Sequence, residues 1–320
     1  MTRSGKIRGH GKRAPARRRD RGFALVLVIW VLALLALLGA EVAADSRSEA
    51  VVSRNRLDLA QARASADAGI ALAVMGLLDP NQATRWQADT VPHNVDYAGR
   101  PLVITIVDEG GKIDLNNAPI ELIGGLLGEF GINGDRQAAI GQAILDRRAH
   151  FAAAAGAVTA PAGRIFPGTQ AHVINLAKLA FADVSELRQL PAMTRALYER
   201  LEPELTVYSQ SPTINPMTAS RQTLLAIPGA GAEDIDGLMA ARRGGQTQLD
   251  LEELSKLAAY TRVDTLHVVT ITVQAKASGG ASFKRRAVVA VSPDVPLEPA
   301  RILRWQQPVD EAGGDQLSLR

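Results

Sequence analysis

The longest pattern in the chain is an apolar run that continues into an amphipathic helix pattern. Residues 23–40 ("FALVLVIWVLALLALLGA") form an eighteen-residue stretch without a charge. As a helix rising about 1.5 Å per residue, this stretch is about 27 Å long, near the hydrocarbon thickness of a bilayer. Residues 41–78 contain no proline, and Asp79-Pro80 then ends the helical pattern. The pattern predicts one helix over residues 23–78, whose first third is apolar enough to span a membrane.

Two later stretches have the pattern of β-strands. Residues 102–107 ("LVITIV") alternate between two faces and lie between Gly99-Arg100-Pro101 and Gly110-Gly111, which predicts a strand. Near the far end, two β-branched runs flank Ser278-Gly279-Gly280, which predicts a β-hairpin. A long helix and a small antiparallel sheet give an α+β fold class.

About 150 residues between the strand and the hairpin have a helical pattern with a weak internal repeat. The first unit begins "KIDLNNAPIELIGGLLGEFGI" and the second "TINPMTASRQTLLAIPGAG". Asn116, Asn117 and Asn215 suit helix starts, because their side chains can accept hydrogen bonds from free backbone N–H groups. We therefore predict an all-helical insert over residues 113–263, built from two helix-hairpin-helix-like units.

Each unit then leads to paired arginines and to an acidic helix. The pairs are Arg147-Arg148 and Arg242-Arg243, and the acidic helices are predicted at residues 183–187 and 250–254. An Ala/Gly/Pro-rich stretch over residues 149–172 is predicted to be a loop in the first unit.

Charge is unevenly distributed. Residues 1–21 hold nine Lys or Arg and one acid, Asp20, whereas the rest of the chain is slightly acidic. A basic segment before an apolar run predicts that residues 1–21 stay cytoplasmic and that the C-terminal part lies across the membrane. The chain has no cysteine, which excludes disulfides and thiol catalysis.

No catalytic pattern is present, and we expect no enzymatic activity. There is no His-Glu-x-x-His motif, no nucleophile elbow and no phosphate-binding loop. Glu252-Glu253 and Asp108-Glu109 are acidic doublets, which a solvated helix face or a strand end explains better than a catalytic pair. The histidines are scattered along the chain: His10, His93, His150, His172 and His267.

The second unit also allows a DNA-binding function. "LLAIPGAG" resembles the hairpin of a helix-hairpin-helix, whose backbone N–H groups can hold a phosphate, and Arg242 follows on the next helix. Acids at Glu233, Asp234 and Asp236 would repel that phosphate, and the body lacks a basic stripe. A membrane-anchored helix-hairpin-helix DNA-binding receptor remains the alternative to a structural role for these hairpins.

The N-terminal segment allows an uncleaved signal anchor or a signal cut near Ala44. The abrupt boundary at Gly22-Phe23, however, resembles the type IV pilin and type II secretion pseudopilin family, in which a basic leader ends in Gly before an apolar helix. The resemblance implies that a prepilin peptidase cuts between Gly22 and Phe23 and methylates the new N-terminus.

Leu27 departs from the family, since its position in the mature chain usually holds Glu. A carboxylate inside a membrane is costly unless it is paired, and in the family it is proposed to pair with the amine of a neighbouring subunit. A subunit without it has no need to be added beneath another one, so it can start an assembly.

Within that family, residues 17–292 resemble the general secretion pathway protein K family. The resemblance implies a pilin-like long helix on a small antiparallel sheet and a minor pseudopilin at the tip of a periplasmic pseudopilus, initiating its assembly and supporting protein export across the outer membrane. The implied partners are the I, J and H minor pseudopilins, the major pseudopilin, the prepilin peptidase and the inner membrane, with no nucleic acid. Calcium is a possible cofactor by the same resemblance, without assignable ligands. Asp146-Arg147-Arg148 and Met217-Thr218-Ala219 depart from the family's usual local sequences.

The implied organisation is a basic leader at 1–22, a membrane and assembly helix at 23–80, pilin-like strands at 81–112, the helical insert at 113–263, a closing hairpin at 264–293 and a tail at 294–320.

Overall fold

The computed structural model describes residues 21–157, 179–243, 257–263, 268–276, 282–292 and 298–306, without side-chain detail at 21–24, 42–48 and 154–157. The chain divides into two compact units, Met1–Asp58 and Leu59–Arg320, with the boundary inside the first helix. The predicted acidic helix at residues 250–254 and the turn at Ser278-Gly279-Gly280 lie outside the described residues.

The first helix, α1, runs over Arg21–Leu77 and confirms the predicted long helix. In the first unit, the described large apolar side chains between residues 25 and 38 are all 47–74% exposed. Among the residues that the structure describes, none of the helices has both the length and the apolar character that are needed to cross a membrane. A membrane span over residues 23–40 stays a prediction.

The second unit contains the remaining elements. Its helices are α2 (Ile120–Glu129), α3 (Gly134–Ala157), α4 (Arg195–Leu201), α5 (Arg221–Leu225) and α6 (Ala232–Arg243), with 3-10 turns at Glu109–Gly111, Val184–Gln189 and Glu202–Glu204. Its strands are β1 (His93–Tyr97), β2 (Arg100–Asp108), β3 (Ile113–Asp114), β4 (Leu205–Thr206), β5 (Val268–Lys276), β6 (Ser282–Val291) and β7 (Ala300–Gln306).

Five of these strands form one antiparallel sheet in the order β1-β2-β5-β6-β7. The predicted strand at residues 102–107 lies within β2, and the predicted hairpin strands are β5 and β6. These strands confirm the α+β class. The sequence prediction ended the sheet at residue 293, whereas β7 adds a fifth strand in the stretch assigned to the tail. Its pattern, "ARILRWQ", has three arginine or glutamine positions among its seven residues, so the alternation of apolar positions was too weak to indicate a strand.

The C-terminal end of α1 packs on this sheet through small side chains. Ala62, Ala66, Ile70 and Ala73 recur every three or four residues and are buried, which places them on one helix face. Gly69 allows a close approach, since a Cβ there would lie 2.6 Å from Val273 Cγ1. The alanine-rich pattern therefore reflects a helix lying close to β-branched side chains.

Between β2 and β5 the chain forms helices around a second apolar core, which includes Ile113, Leu122, Leu126 and Leu224. This segment is not all-helical as predicted, because β3 and β4 pair in parallel, Ile113 with Leu205. Two-residue strands have too short an alternation to be recognised in a sequence. The predicted loop at residues 149–172 is also wrong at its start, since α3 continues to Ala157. Its alanines are strong helix formers, and the remainder of that stretch lies outside the described residues.

Candidate functional site

The residues predicted for processing lie at the beginning of α1. The helix starts at Arg21, so the backbone of Gly22 and Phe23 is in its first turn. Leu27 lies one turn further along and is 54% exposed. At that position the helix presents an apolar side chain where the resembled family usually has a carboxylate.

The acidic doublet at the end of β2 is buried rather than solvated, with Asp108 4% and Glu109 2% exposed. Asp108 Oδ1 accepts a hydrogen bond from the Gly110 N–H at 2.9 Å. Its Oδ2 accepts from Asn215 Nδ2 at 3.1 Å and from Thr218 Oγ1 at 2.7 Å. Asp108 therefore joins the end of β2 to the start of the second helical unit.

Glu109 is satisfied in the same way by other elements. Its Oε1 accepts from Thr270 Oγ1 of β5 at 2.6 Å and pairs with Lys112 Nζ at 2.7 Å. Its Oε2 accepts from Thr206 Oγ1 of β4 at 2.5 Å. Because every carboxylate oxygen of the doublet has a protein donor, the pair serves as a structural junction between the sheet and the helices. Sequence reasoning identified the strand end correctly but missed the burial, which only the distant partners produce.

The two predicted units share their local geometry at Asp114 and Asn215. Asp114 Oδ1 accepts from the Asn116 and Asn117 N–H groups at 2.8 and 2.9 Å, and Asn215 Oδ1 accepts from the Met217 N–H at 3.1 Å. In both units a backbone hydrogen bond between residues four positions apart closes the turn. The Ala118 N–H donates to Asp114 O and the Ala219 N–H donates to Asn215 O, each at 3.0 Å. These hydrogen bonds agree with the weak repeat in the sequence.

Asn215 accepts a backbone N–H as predicted, but it does so in the turn before α5, whose N-cap is Ser220. The capping prediction was wrong for the two asparagines of the first unit. In the first unit Asp114 accepts hydrogen bonds from the backbone N–H groups, while the Asn116 side chain forms hydrogen bonds with both the N–H and the carbonyl of Phe181. Asn117 Nδ2 donates to Asp114 Oδ1 at 3.0 Å. Burial raises the pKa of the Asp114 carboxyl, and these N–H donors act against that rise.

In each unit an arginine side chain also donates hydrogen bonds to backbone carbonyls of that unit's own turn. Arg148 donates from Nε to Leu115 O and from Nη1 to Ala118 O, both at 2.8 Å. Arg242 donates from Nη1 to Ala219 O, the corresponding carbonyl, at 2.7 Å. Burial lowers the pKa of Arg148, with Asp114 opposing the shift, and lowers the pKa of Arg242 to about 10.

The neighbouring arginine of the first pair binds the predicted acidic helix. Arg147 Nε donates to Ala180 O at 2.9 Å, its Nη2 pairs with Glu186, and its guanidinium lies 4.6 Å from the centroid of the Phe181 ring. Residues 183–187, predicted as a helix, form the 3-10 turn Val184–Gln189 with Asp183 as its N-cap.

The geometry of the second unit does not favour phosphate binding. Gly229 adopts φ +80° in the turn before α6, but Glu233 and Asp234 occupy the first turn of that helix. Arg242, expected to lie near a bound phosphate, instead contacts the carbonyl of Ala219 inside the unit.

No metal ligand set is assigned. Within the described ranges, no group of three or more His, Asp or Glu side chains comes together to hold a metal ion. The buried carboxylates of the junction accept hydrogen bonds from protein donors.

Comparison with known proteins supports a fold rather than a sequence family. No protein-family model matches the chain, and a search of curated proteins found no match. Among solved structures, a chain in the crystal structure of the GspK-GspI-GspJ complex from the type 2 secretion system of enterotoxigenic Escherichia coli matches with a TM-score of 0.52. The match has 14% sequence identity and covers 80% of this chain and 99% of that chain. This chain therefore has a pseudopilin-like fold.

Proposed function

We propose that this protein is a minor pseudopilin of a type II secretion system. The observation that carries the proposal is the fold: a long N-terminal helix whose end packs on an antiparallel sheet, matching nearly the whole of a chain from a pseudopilin complex. The sequence adds a basic leader that ends at Gly22, followed by an apolar run. Neither feature is expected of an enzyme, and we propose no enzymatic activity.

Within such a system, the protein takes the position of general secretion pathway protein K, at the tip of the periplasmic pseudopilus. Leu27 supports this position, because it removes the carboxylate that would pair with the amine of another subunit. The helical segment between β2 and β5 supports it as well. A helical filament repeats one contact between successive subunits, and about 150 additional residues are hard to accommodate at every repeat.

The proposed partners follow from the tip position. They are the I, J and H minor pseudopilins and the major pseudopilin, with a prepilin peptidase that processes the chain at Gly22. Before assembly, residues 23–40 are proposed to reside in the inner membrane with the leader cytoplasmic and the rest periplasmic, an orientation supported by the basic residues of the leader. Binding to nucleic acid is not part of the proposal, since acids surround the second hairpin and Arg242 is turned inward.

The test of this function is where the protein lies in an assembled filament. Overproduced pseudopili would be examined by electron microscopy with a label on the C-terminal unit. At most one label per filament end is expected, together with co-purification of the I and J subunits. Labels spaced along the shaft would contradict the tip position, and a gel shift of duplex DNA at micromolar protein that is lost in Arg242→Ala/Arg243→Ala would favour the DNA receptor.

A further inference from the structure

An apolar cleft lies at the C-terminal end of α1, beside the edge strand β1. Its volume is about 540 Å³, and its lining residues are Leu72, Met75, Gly76, Leu78, Asp79, Pro80, Trp86 and Val95. Met75 is 69% exposed at this cleft. An exposed methionine beside a concave apolar surface is typical of a surface that binds other proteins.

One wall of the cleft is held rigidly. Trp86 stacks on His93 with ring centroids 4.2 Å apart and planes 4° apart. The backbone N–H of Trp86 donates to Gly76 O at 2.9 Å, and a Cβ at Gly76 would lie 2.5 Å from the indole. The cleft is thus preformed, so filling it with an apolar side chain requires no rearrangement of this wall.

Within the part of the chain that the structure describes, no strand pairs with the outer edge of the strand beside the cleft. β1 is the outermost strand of the sheet, and Ala98 and Gly99 form the turn to β2 with φ +53° and +75°. A two-residue turn of this type makes Tyr97 and Arg100 the closing hydrogen-bonded pair. Since hydrogen-bonded and non-hydrogen-bonded pairs alternate along an antiparallel ladder, the N–H and C=O groups of Asn94 and Asp96 point away from β2. These groups are available to another strand.

Charged side chains along this edge of the sheet indicate which residues a partner segment carries on either side of its apolar side chain. Asp79 lines the cleft, Asp96 lies on β1, and Asp89 continues the line of β1 by bridging to Val107. Arg85 opposes them, but its guanidinium donates to the carbonyls of Asp79 and Pro80. Asp96 alternates with Val95 along β1 and therefore faces away from the cleft, and Arg100 at the start of β2 donates to Gln61. Among the described side chains of this rim, three carboxylates thus lie beside two arginines, a charge balance that favours basic residues in an added strand.

From the edge, the cleft and the rim we infer that β1 binds an extended segment of another polypeptide, which adds a strand to the sheet. The segment places an apolar side chain against Met75 and Trp86 and carries Lys or Arg on its flanks. Backbone pairing supplies the affinity and the cleft supplies the side-chain preference, as in other strand-addition interfaces. This inference does not depend on the proposed secretion function.

The test uses the full chain in detergent micelles and a phage library of random dodecapeptides. Enriched sequences are expected to alternate apolar and polar residues and to carry basic flanks. A synthetic copy of the most enriched sequence should lose at least tenfold in affinity for Met75→Lys, which puts a charge at the cleft, and for Asn94→Pro, which removes an outward N–H. Ile302→Lys on the opposite edge strand β7 is the matched control and should leave the affinity unchanged.

Several results would overturn the inference. No enrichment, enrichment of acidic sequences, or affinity that Met75→Lys does not change would each exclude the cleft as the binding site. Because Met75 is exposed, that variant remains informative even if Asn94→Pro fails to fold. A dimer of the chain seen by light scattering and abolished by Met75→Lys would identify a second copy as the occupant and contradict a separate partner.

Discussion

Asp108 Oδ2 accepts a hydrogen bond from Asn215 Nδ2 at 3.1 Å, across 107 positions of the chain. Asp108 ends the strand β2, and Asn215 begins the second helical unit at the position that Asp114 holds in the first. The two units therefore have the same turn, which carries a carboxylate in the first unit and an uncharged amide in the second. The Asn side chain of the second unit joins Thr218 in donating to Asp108 Oδ2, which a carboxylate at that position could not do.

Replacing Asn215 with Asp should destabilise the protein strongly. The substitution places a second carboxylate beside the buried Asp108, and the cost of an uncompensated buried charge is about 3 kcal/mol or more. The measurement is the midpoint of urea unfolding of the full chain in detergent. Asp108→Asn/Asn215→Asp reverses donor and acceptor and should recover at least half of the loss. A double variant less stable than Asn215→Asp alone would contradict the account of this pair.

Gly125 and Gly128 provide a second test within one helix. A Cβ at Gly125 would lie 1.9 Å from the carbonyl oxygen of Ala226, so Gly125→Ala must push α2 away from the end of α5. We expect a loss of about 3 kcal/mol, as for an overpacked core. At Gly128 the nearest atom is Asn133 Oδ1, 3.6 Å away, and Gly128→Ala should gain about 0.5 kcal/mol from helix propensity. Equal effects of the two substitutions on the unfolding midpoint would show that the helices do not meet at Gly125.

Arg148 and Arg242 should contribute differently to the free energy of unfolding, although they occupy corresponding positions in the two units. Arg148→Met removes two carbonyl contacts and the cation beside buried Asp114, and we expect a cost of about 3 kcal/mol. Arg242 makes one carbonyl contact, and within the described residues its Nε and Nη2 have no hydrogen-bond partner. Arg242→Met should therefore cost about 1 kcal/mol or less. Guanidinium unfolding of the two variants measures the difference, and the reverse order of stabilities would contradict it.

Much of the fold was predictable because its patterns are local. The helix α1 and the strands β2, β5 and β6 show clear periodicity and are bounded by Pro or Gly. β7 could not be recognised, since its arginines are accommodated by particular partners, as when Arg304 pairs with Asp183. Those partners become neighbours only after the chain has folded.

The repeat was also visible in the sequence, but the roles of its residues were not. The paired arginines and the Asn positions marked the correct turns. Asp114, and not Asn116, accepts the backbone hydrogen bonds of the first turn. The Asn116 side chain is hydrogen-bonded to the backbone of Phe181, which is 65 positions away in the sequence. The burial of Asp108 and Glu109 likewise depends on Thr206, Thr218 and Thr270, none of which is close to them in sequence.

Leu27→Glu should leave processing of the leader unchanged. Cleavage is expected to be determined at Gly22, and Leu27 is an exposed helix position further along α1. The measurement is the ratio of processed to unprocessed chain in cells that contain a prepilin peptidase. A large accumulation of the unprocessed variant would show that the fifth mature position takes part in cleavage.

The most direct test of the pseudopilin account is the mass of the N-terminal peptide of the mature protein. The account predicts a chain that begins with N-methylated Phe23 in cells with a prepilin peptidase, and a chain that retains its leader in Gly22→Val. A mature protein that begins at Met1, or near Asp45 after an ordinary signal cleavage, would contradict it.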